Sequence, residues 1–155
     1  MLTAHLPSGY ILGRTLPKNI PRLMPAALIG AVLPDVDMIW FLFVDKGAVH
    51  HHRYWTHIPA FWALAAIFVL PVLTKLRLLP VGLVFFAAIT MHLVLDTIAG
   101  GIMWAAPFND HLFALTTVPA AYGNWIVSFM LHWTFALELV VWIAAIYLWV
   151  RRDRV

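Results

Sequence analysis

The sequence predicts an all-α fold: a multi-pass transmembrane helical bundle of four main helices plus a short N-terminal half-helix. Three observations lead there. Apolar residues make up 63% of the 155 positions and charged residues only 11%, against about 25% charge in soluble domains. The mean hydropathy is +0.88, and so small a domain leaves too much of its chain at the surface to hide that much apolar side chain from water. The few charges bracket apolar runs close to the ~20 residues that cross a bilayer as helix. This composition excludes a disordered chain, a coiled coil and an ordinary soluble enzyme, and the length fits one domain over residues 1–155.

The elements follow in order. Residues 2–13 are apolar but too short to cross alone, rising only about 18 Å as helix, so they read as the half-helix. Gly9 and Gly13 form a GxxxG pattern that lets a second helix approach closely. Residues 23–44 are the next apolar stretch, interrupted by Pro25 and by Pro34-Asp35-Val36-Asp37. A break is expected at Leu33-Pro34, because the residue before a proline is steered away from helix. Residues 57–74 contain no Asp, Glu, Lys or Arg; residues 80–98 contain only Asp96, and residues 125–150 only Glu138. Trp125 and Trp149 fit interfacial anchors of that last helix, about 36 Å apart at the helical rise. The start, Met-Leu-Thr-Ala-His, lacks a basic n-region, so no cleaved signal peptide is expected.

The net charge of +3 comes from ten basic and seven acidic residues. Arg14, Lys18 and Arg22 lie between the first two stretches, Lys75 and Arg77 between the 57–74 and 80–98 helices, and Arg151, Arg152 and Arg154 at the end. If these share one side, only Lys46 and Arg53 remain for the other, and the positive-inside rule makes the crowded side cytoplasmic. The C-terminus is then inside, and loops 45–56 and 99–124 face outward. The basic surplus is thus a topology signal, and no nucleic-acid partner is expected. Cysteine is absent, which excludes disulfides and thiolate metal sites. No P-loop, GxSxG or dinucleotide fingerprint occurs. With Ser8 and Ser128 the only serines, a serine hydrolase is not expected.

The chemistry gathers in three places. Asp35 and Asp37 would each cost about 2.5–3.5 kcal/mol at a helix centre, unless a metal ion or cationic partner offsets them; the alternative is a pair of turn carboxylates capping a broken helix. The run His50-His51-His52-Arg53-Tyr54-Trp55-Thr56-His57 is rich in imidazole, a common metal ligand. Three adjacent histidines cannot all face one ion from a regular helix, so one or two are spectators. Thr56 and Pro59 suit a helix start and place His57 at its mouth. His92 and Asp96 stand four apart on one helical face, fit for a bridged metal or for a helix-internal hydrogen bond. Topology brings all three groups to the outer side, and His5 joins them if the first stretch is a half-helix. His5, Asp35, Asp37, His52, His57, His92 and Asp96 are the candidate ligands, enough for two ions with open water positions. A set without Cys suits zinc, manganese or iron, with zinc the usual ion for hydrolysis. Arg53 is placed to clamp a phosphate, and it and His57 are the candidate catalytic residues. His132 and Glu138 lie about 120° apart on their helix, which favours structural hydrogen bonds. His111, in Asn109-Asp110-His111, reads as solvated loop.

From His5 to about Phe108 the chain carries an ordered series: His5 with Gly9, Leu33-Pro34-Asp35-Val36-Asp37, His52-Arg53-Tyr54-Trp55-Thr56-His57, His92-Leu-Val-Leu-Asp96, Gly101 and Pro107-Phe108. This series resembles the LexA-binding, inner membrane-associated hydrolases, also described as membrane-bound metal-dependent hydrolases. Members usually carry Gly at the place of Tyr54 and Ser at the place of Ile58; the departures here bear on substrate contacts rather than on the ligands. The repressor binding in the family's name is not transferred. The ligand order is also loosely similar to that of zinc-dependent phospholipase C. The resemblance implies an inner-membrane hydrolase that uses a divalent metal on a phosphoester or lipid-linked substrate at the membrane surface, among membrane lipids. The second reading is a metal-binding membrane protein without catalysis, a transporter or scaffold. A transporter would spread polar residues over several depths, whereas here they favour one side.

Overall fold

The computed structural model describes residues 3–151. Helix α1 (His5–Thr15) is followed by α2 (Leu23–Val32), which passes through a 3-10 turn (Leu33–Asp37) into α3 (Met38–Phe43). Two further 3-10 turns, His51–Arg53 and Trp55–His57, lead into α4 (Pro59–Lys75), then α5 (Leu79–Thr97), α6 (Trp125–Met130) and α7 (Thr134–Val150). The described residues form no strand; Ile102 and Phe113 make one isolated antiparallel bridge. The fold is therefore all-helical. Leu23–Phe43 (21 residues) and Leu79–Thr97 (19 residues) are long and apolar enough to span a membrane, while α4 and α7 are shorter apolar helices.

One expected start holds: the helix of the 57–74 segment begins at Pro59, with Ile58 extended (φ −94°, ψ 113°) and proline in the first turn. Other boundaries differ from expectation for identifiable reasons. Leu33 keeps right-handed helical angles (φ −60°, ψ −37°). Pro34 therefore tightens the helix into 3-10 form instead of ending it, and α3 continues beyond. The expected 125–150 helix is two helices. His132 N–H donates to the Phe129 carbonyl at 3.1 Å and Phe135 N–H to the His132 carbonyl at 3.0 Å, while the His132 ring meets the Thr134 hydroxyl at 2.9 Å. This local network replaces the α ladder, so the continuous helical rise expected between Trp125 and Trp149 is interrupted.

Glycine lets the helices close. A Cβ on Gly9 would sit 2.6 Å from Ala31 Cβ, and one on Gly30 would run into the Phe85 carbonyl and lie 2.9 Å from Ala88 Cβ. Both α1 and α5 thus pack backbone-close on α2. Ile89, Leu93 and Ile102 form the buried apolar core, with Trp62, Phe85 and Phe86 against it.

The contacts also fix directions. Gly30 meets Phe85 and Ala31 meets His92, so α2 and α5 run parallel. Gly82 packs on Leu70 and Leu73, so α4 runs opposite to α5. Glu138 meets Thr3, and Tyr10 shares a groove with Trp149, so α7 runs alongside α1. One end of the bundle therefore collects His5, Asp35, His57, His92 and Asp96. The other collects Arg14, Lys18, Arg22, Lys75, Arg77 and Arg151; Arg152 and Arg154 lie outside the described residues. Between the ends, α4 and α7 expose large apolar side chains, with Ile67, Phe68 and Ile143 about two-thirds accessible. Apolar surface on this scale belongs against lipid or a partner.

Candidate functional site

The site is built around Asp96. Helix α5 places His92 one turn before it, and His92 Nε2 lies 3.0 Å from Asp96 Oδ2. The other ring nitrogen, Nδ1, is 2.7 Å from the Ala31 carbonyl. A carbonyl only accepts, so Nδ1 carries a hydrogen, and in the neutral ring Nε2 then presents its lone pair. His52 repeats the device. Its Nδ1 donates to the Gly101 carbonyl at 2.8 Å, and its Nε2 stands 3.6 Å from Asp96 Oδ2. The loop that supplies this carbonyl needs its glycines: a Cβ on Gly100 would overlap the His52 ring, and Gly101 adopts φ +77°, a left-handed value that favours glycine. The Asp96 carbonyl ties the same loop by accepting from Gly100 N–H at 2.7 Å and Gly101 N–H at 3.2 Å.

His57 is held from the far side. Its Nδ1 is 2.5 Å from Asp37 Oδ2, which also accepts from the Thr56 hydroxyl at 2.6 Å. Its Nε2 stands 3.3 Å from His92 Nε2, 3.5 Å from Asp96 Oδ2 and 3.9 Å from Asp35 Oδ1. His5 enters from α1, with Nε2 3.1 Å from Asp96 Oδ1 and its ring stacked on His92 at 3.7 Å. Asp35 Oδ1 completes the ring 3.7 Å from His92 Nε2; its side chain is 34% exposed, so it forms the open wall. His5, Asp37, His52, His57, His92 and Asp96 are all buried. Burial pushes the His52 imidazole down to about 3 against the opposing pull of Asp96. Burial and the neighbouring His52 and His57 do the same to His51. Both rings are neutral, the form that binds metal.

The structure thus brings together six of the seven expected ligands, and Asp37 stands behind His57. Asp35 and Asp37 follow the 3-10 turn, whose three residues per turn send them to different sides. Arg53 lies on the rim, exposed, with Nη1 3.8 Å from Asp110 Oδ2. Among the described residues, three sets could hold an ion by proximity: His5, His92 and Asp96; Asp35, His57 and His92; and His51, His52 and His57. His51, an alternative to His52 in the ligand order, is not among the expected ligands. Its only sequence signal is the His50–His52 run, and the choice among three neighbours depends on a 3-10 turn. His50 turns inward on its own chain, its Nδ1 accepting from His52 N–H at 3.3 Å. The Ala31 carbonyl is a further support that no motif announced, and Thr56, read from the sequence as a helix-start residue, instead gives its hydroxyl to Asp37. His111 is exposed and belongs to a local turn.

Glu138 and His132 play structural parts. Glu138 is wholly buried, and its Oε2 accepts from Thr3 N–H at 2.8 Å and the Thr3 hydroxyl at 2.6 Å. Helix α7 thereby fastens the segment that delivers His5. His132 sits in the α6–α7 break.

An apolar all-helical chain, cationic at one end and closed around imidazoles and carboxylates at the other, has the makeup of a helical membrane protein with a candidate metal centre. Known proteins agree on the membrane. Residues 1–154 match the YdjM inner membrane protein family, and the chain belongs to that family. Inner membrane protein YbcI of Escherichia coli (strain K12) is 29% identical over 137 residues of alignment, covering 73% of this chain and 76% of that protein. No solved structure matches the chain.

Proposed function

We propose that the protein holds a divalent metal ion, zinc first among candidates, in the cluster around Asp96, and that it is a membrane-bound hydrolase of phosphoester or lipid-linked substrates. One observation supports the metal above all. His52 and His92 have their Nδ1 hydrogens committed to carbonyls, so two lone pairs face a carboxylate oxygen. Acceptors facing acceptors repel unless a cation lies between them. Five separations, from His57 Nε2 to His92 Nε2 and from each of these nitrogens to Asp96 Oδ2 and to Asp35 Oδ1, run from 3.0 to 3.9 Å and bracket the ~3.3 Å ligand–ligand edge expected of 2.0–2.1 Å bonds in tetrahedral geometry. His5 with His92 and Asp96, or His52 with His51 and His57, offers donors for a second ion. Asp37 and the Ala31 and Gly101 carbonyls orient the imidazoles, as outer partners of metal ligands do. A bound ion supplies Lewis acidity and an activated water. Arg53 on the rim offers a bidentate fork to a phosphate.

The same reading places the basic end in the cytoplasm and the cluster outward, with the apolar helices crossing the inner membrane. Helices α4 and α7 rise about 26 Å, close to the ~30 Å hydrocarbon core. A reporter fused after Val155 should read as cytoplasmic; an external reading overturns this orientation. The second reading, metal binding without turnover, is favoured by Arg53, whose nearest charged partner is Asp110 rather than a cluster residue. Purified protein should carry stoichiometric metal and turn over a phosphodiester, phosphomonoester or lipid substrate in a chelator-sensitive way. Absence of bound metal under every condition defeats the centre. Full loading without chelator-sensitive turnover defeats the hydrolase and leaves the non-catalytic reading.

A further inference from the structure

At the end of the bundle away from the cluster, the α1–α2 connection encloses a cleft of about 270 Å³. Arg14, Lys18 and Arg22 line it, and no carboxylate does. Arg14 Nε is buried there without a hydrogen-bond partner among the described residues. Arg22 occupies its place at φ 71°, a left-handed conformation that a residue with a Cβ disfavours. The positive-inside rule asks for cations on one side of a membrane. It does not ask for three of them on the lining of one concavity that has no carboxylate, a concentration of positive charge that attracts an anion.

A second, apolar groove of about 300 Å³ runs between α1 and α7, lined by Leu6, Pro7, Tyr10, Trp142, Ala145 and Trp149 among others. Tyr10 and Trp149 lie toward its basic end. Arg14 follows Tyr10 by one helical turn on nearly the same face, so the groove leads toward the cationic cleft.

We propose that cleft and groove together bind one anionic phospholipid, its phosphate among Arg14, Lys18 and Arg22 and an acyl chain along α1 and α7. Charge complementarity selects the headgroup, and the apolar lining of the groove selects the chain. Basic pockets between membrane helices take anionic headgroups on these grounds. The site is independent of the metal reading and sits at the opposite end of the molecule.

The test uses the full chain in detergent, titrated with dioleoyl phosphatidylglycerol or dioleoyl phosphatidylcholine and followed by native mass spectrometry. One phosphatidylglycerol should be retained in preference to phosphatidylcholine. Arg14→Gln and Lys18→Gln should each weaken its retention about fivefold. Arg22→Gly should weaken it comparably while thermal stability holds or rises, because glycine adopts this φ without strain; that variant decides the matter if the others fold poorly. Ala145→Phe, which fills the groove, should weaken retention of both lipids. The paired change Lys75→Gln and Arg77→Gln, at the same end but outside the cleft, should leave retention unchanged. Equal retention of the two lipids, or equal loss in the Lys75/Arg77 pair, overturns the proposal in favour of a diffuse positive field. Displacement of phosphatidylglycerol by micromolar glycerol 3-phosphate assigns the cleft to a soluble phosphate and overturns the lipid.

Discussion

The two ends of the bundle treat polar side chains in opposite ways. Around Asp96, four imidazoles are at most 3% exposed, and at least three hold a second partner that fixes ring orientation. At the other end, Lys18, Arg22, Lys75 and Arg77 are exposed and Arg14 only half-buried. A buried polar group is costly unless its geometry is satisfied, so at the first end a single atom matters. Exposed charges act through number and placement, and a single one contributes little to stability. The buried end also reaches across the chain, drawing ligands from α1, the Leu33–Asp37 turn, the histidine loop and α5.

That contrast can be broken by experiment, from the largest effect down. Asp96→Asn keeps the shape and removes the charge that the imidazoles surround. Metal affinity should fall more than about 100-fold, beyond the range for outer partners, as measured by metal content after dialysis at graded free metal. Wild-type affinity in that variant would mean the cluster is not the centre. Asp37→Asn leaves the inner donors in place and loosens His57 and its neighbour Thr56. Its metal affinity should fall about 10- to 100-fold, with helical content by circular dichroism unchanged. Glu138→Ala strips Thr3 of its acceptor deep in the fold. It should lower unfolding stability in detergent by about 1–2 kcal/mol and weaken metal binding through His5. Lys75→Gln, the contrasting case, should stay within about 0.5 kcal/mol and leave metal binding untouched. A large effect there would erase the distinction between the ends.

Much of this was legible in the residues. The i,i+4 spacing of His92 and Asp96 was enough to put both on one face, and the charge gaps located the apolar segments because lipid-facing helices exclude charge. The GxxxG of Gly9 and Gly13 marked a close approach that Gly9 makes on Ala31. Other features were hidden for physical reasons. The division of labour between Asp35 and Asp37 depends on a tightened turn, and Pro34 was as compatible with a clean break. The α6–α7 interruption has no proline to announce it; it follows from His132, whose ring engages Thr134. The orienting carbonyls of Ala31 and Gly101 are backbone atoms, which every residue possesses, so only the fold selects them.

The site joins parts of the chain that are far apart in order of synthesis. The His52–Gly101 bond spans 49 residues, the His92–Ala31 bond 61 and the Thr3–Glu138 pair 135. Contacts so remote gain nothing until the loops between them have closed. A growing chain that has delivered α4 holds His5, Asp35 and His57 but lacks the carboxylate they surround. One that has delivered α5 still lacks the glutamate that fastens the N-terminal segment. The cluster therefore closes only once α5 and the Gly101 loop have been delivered, and the segment that carries His5 is fastened only when α7 follows.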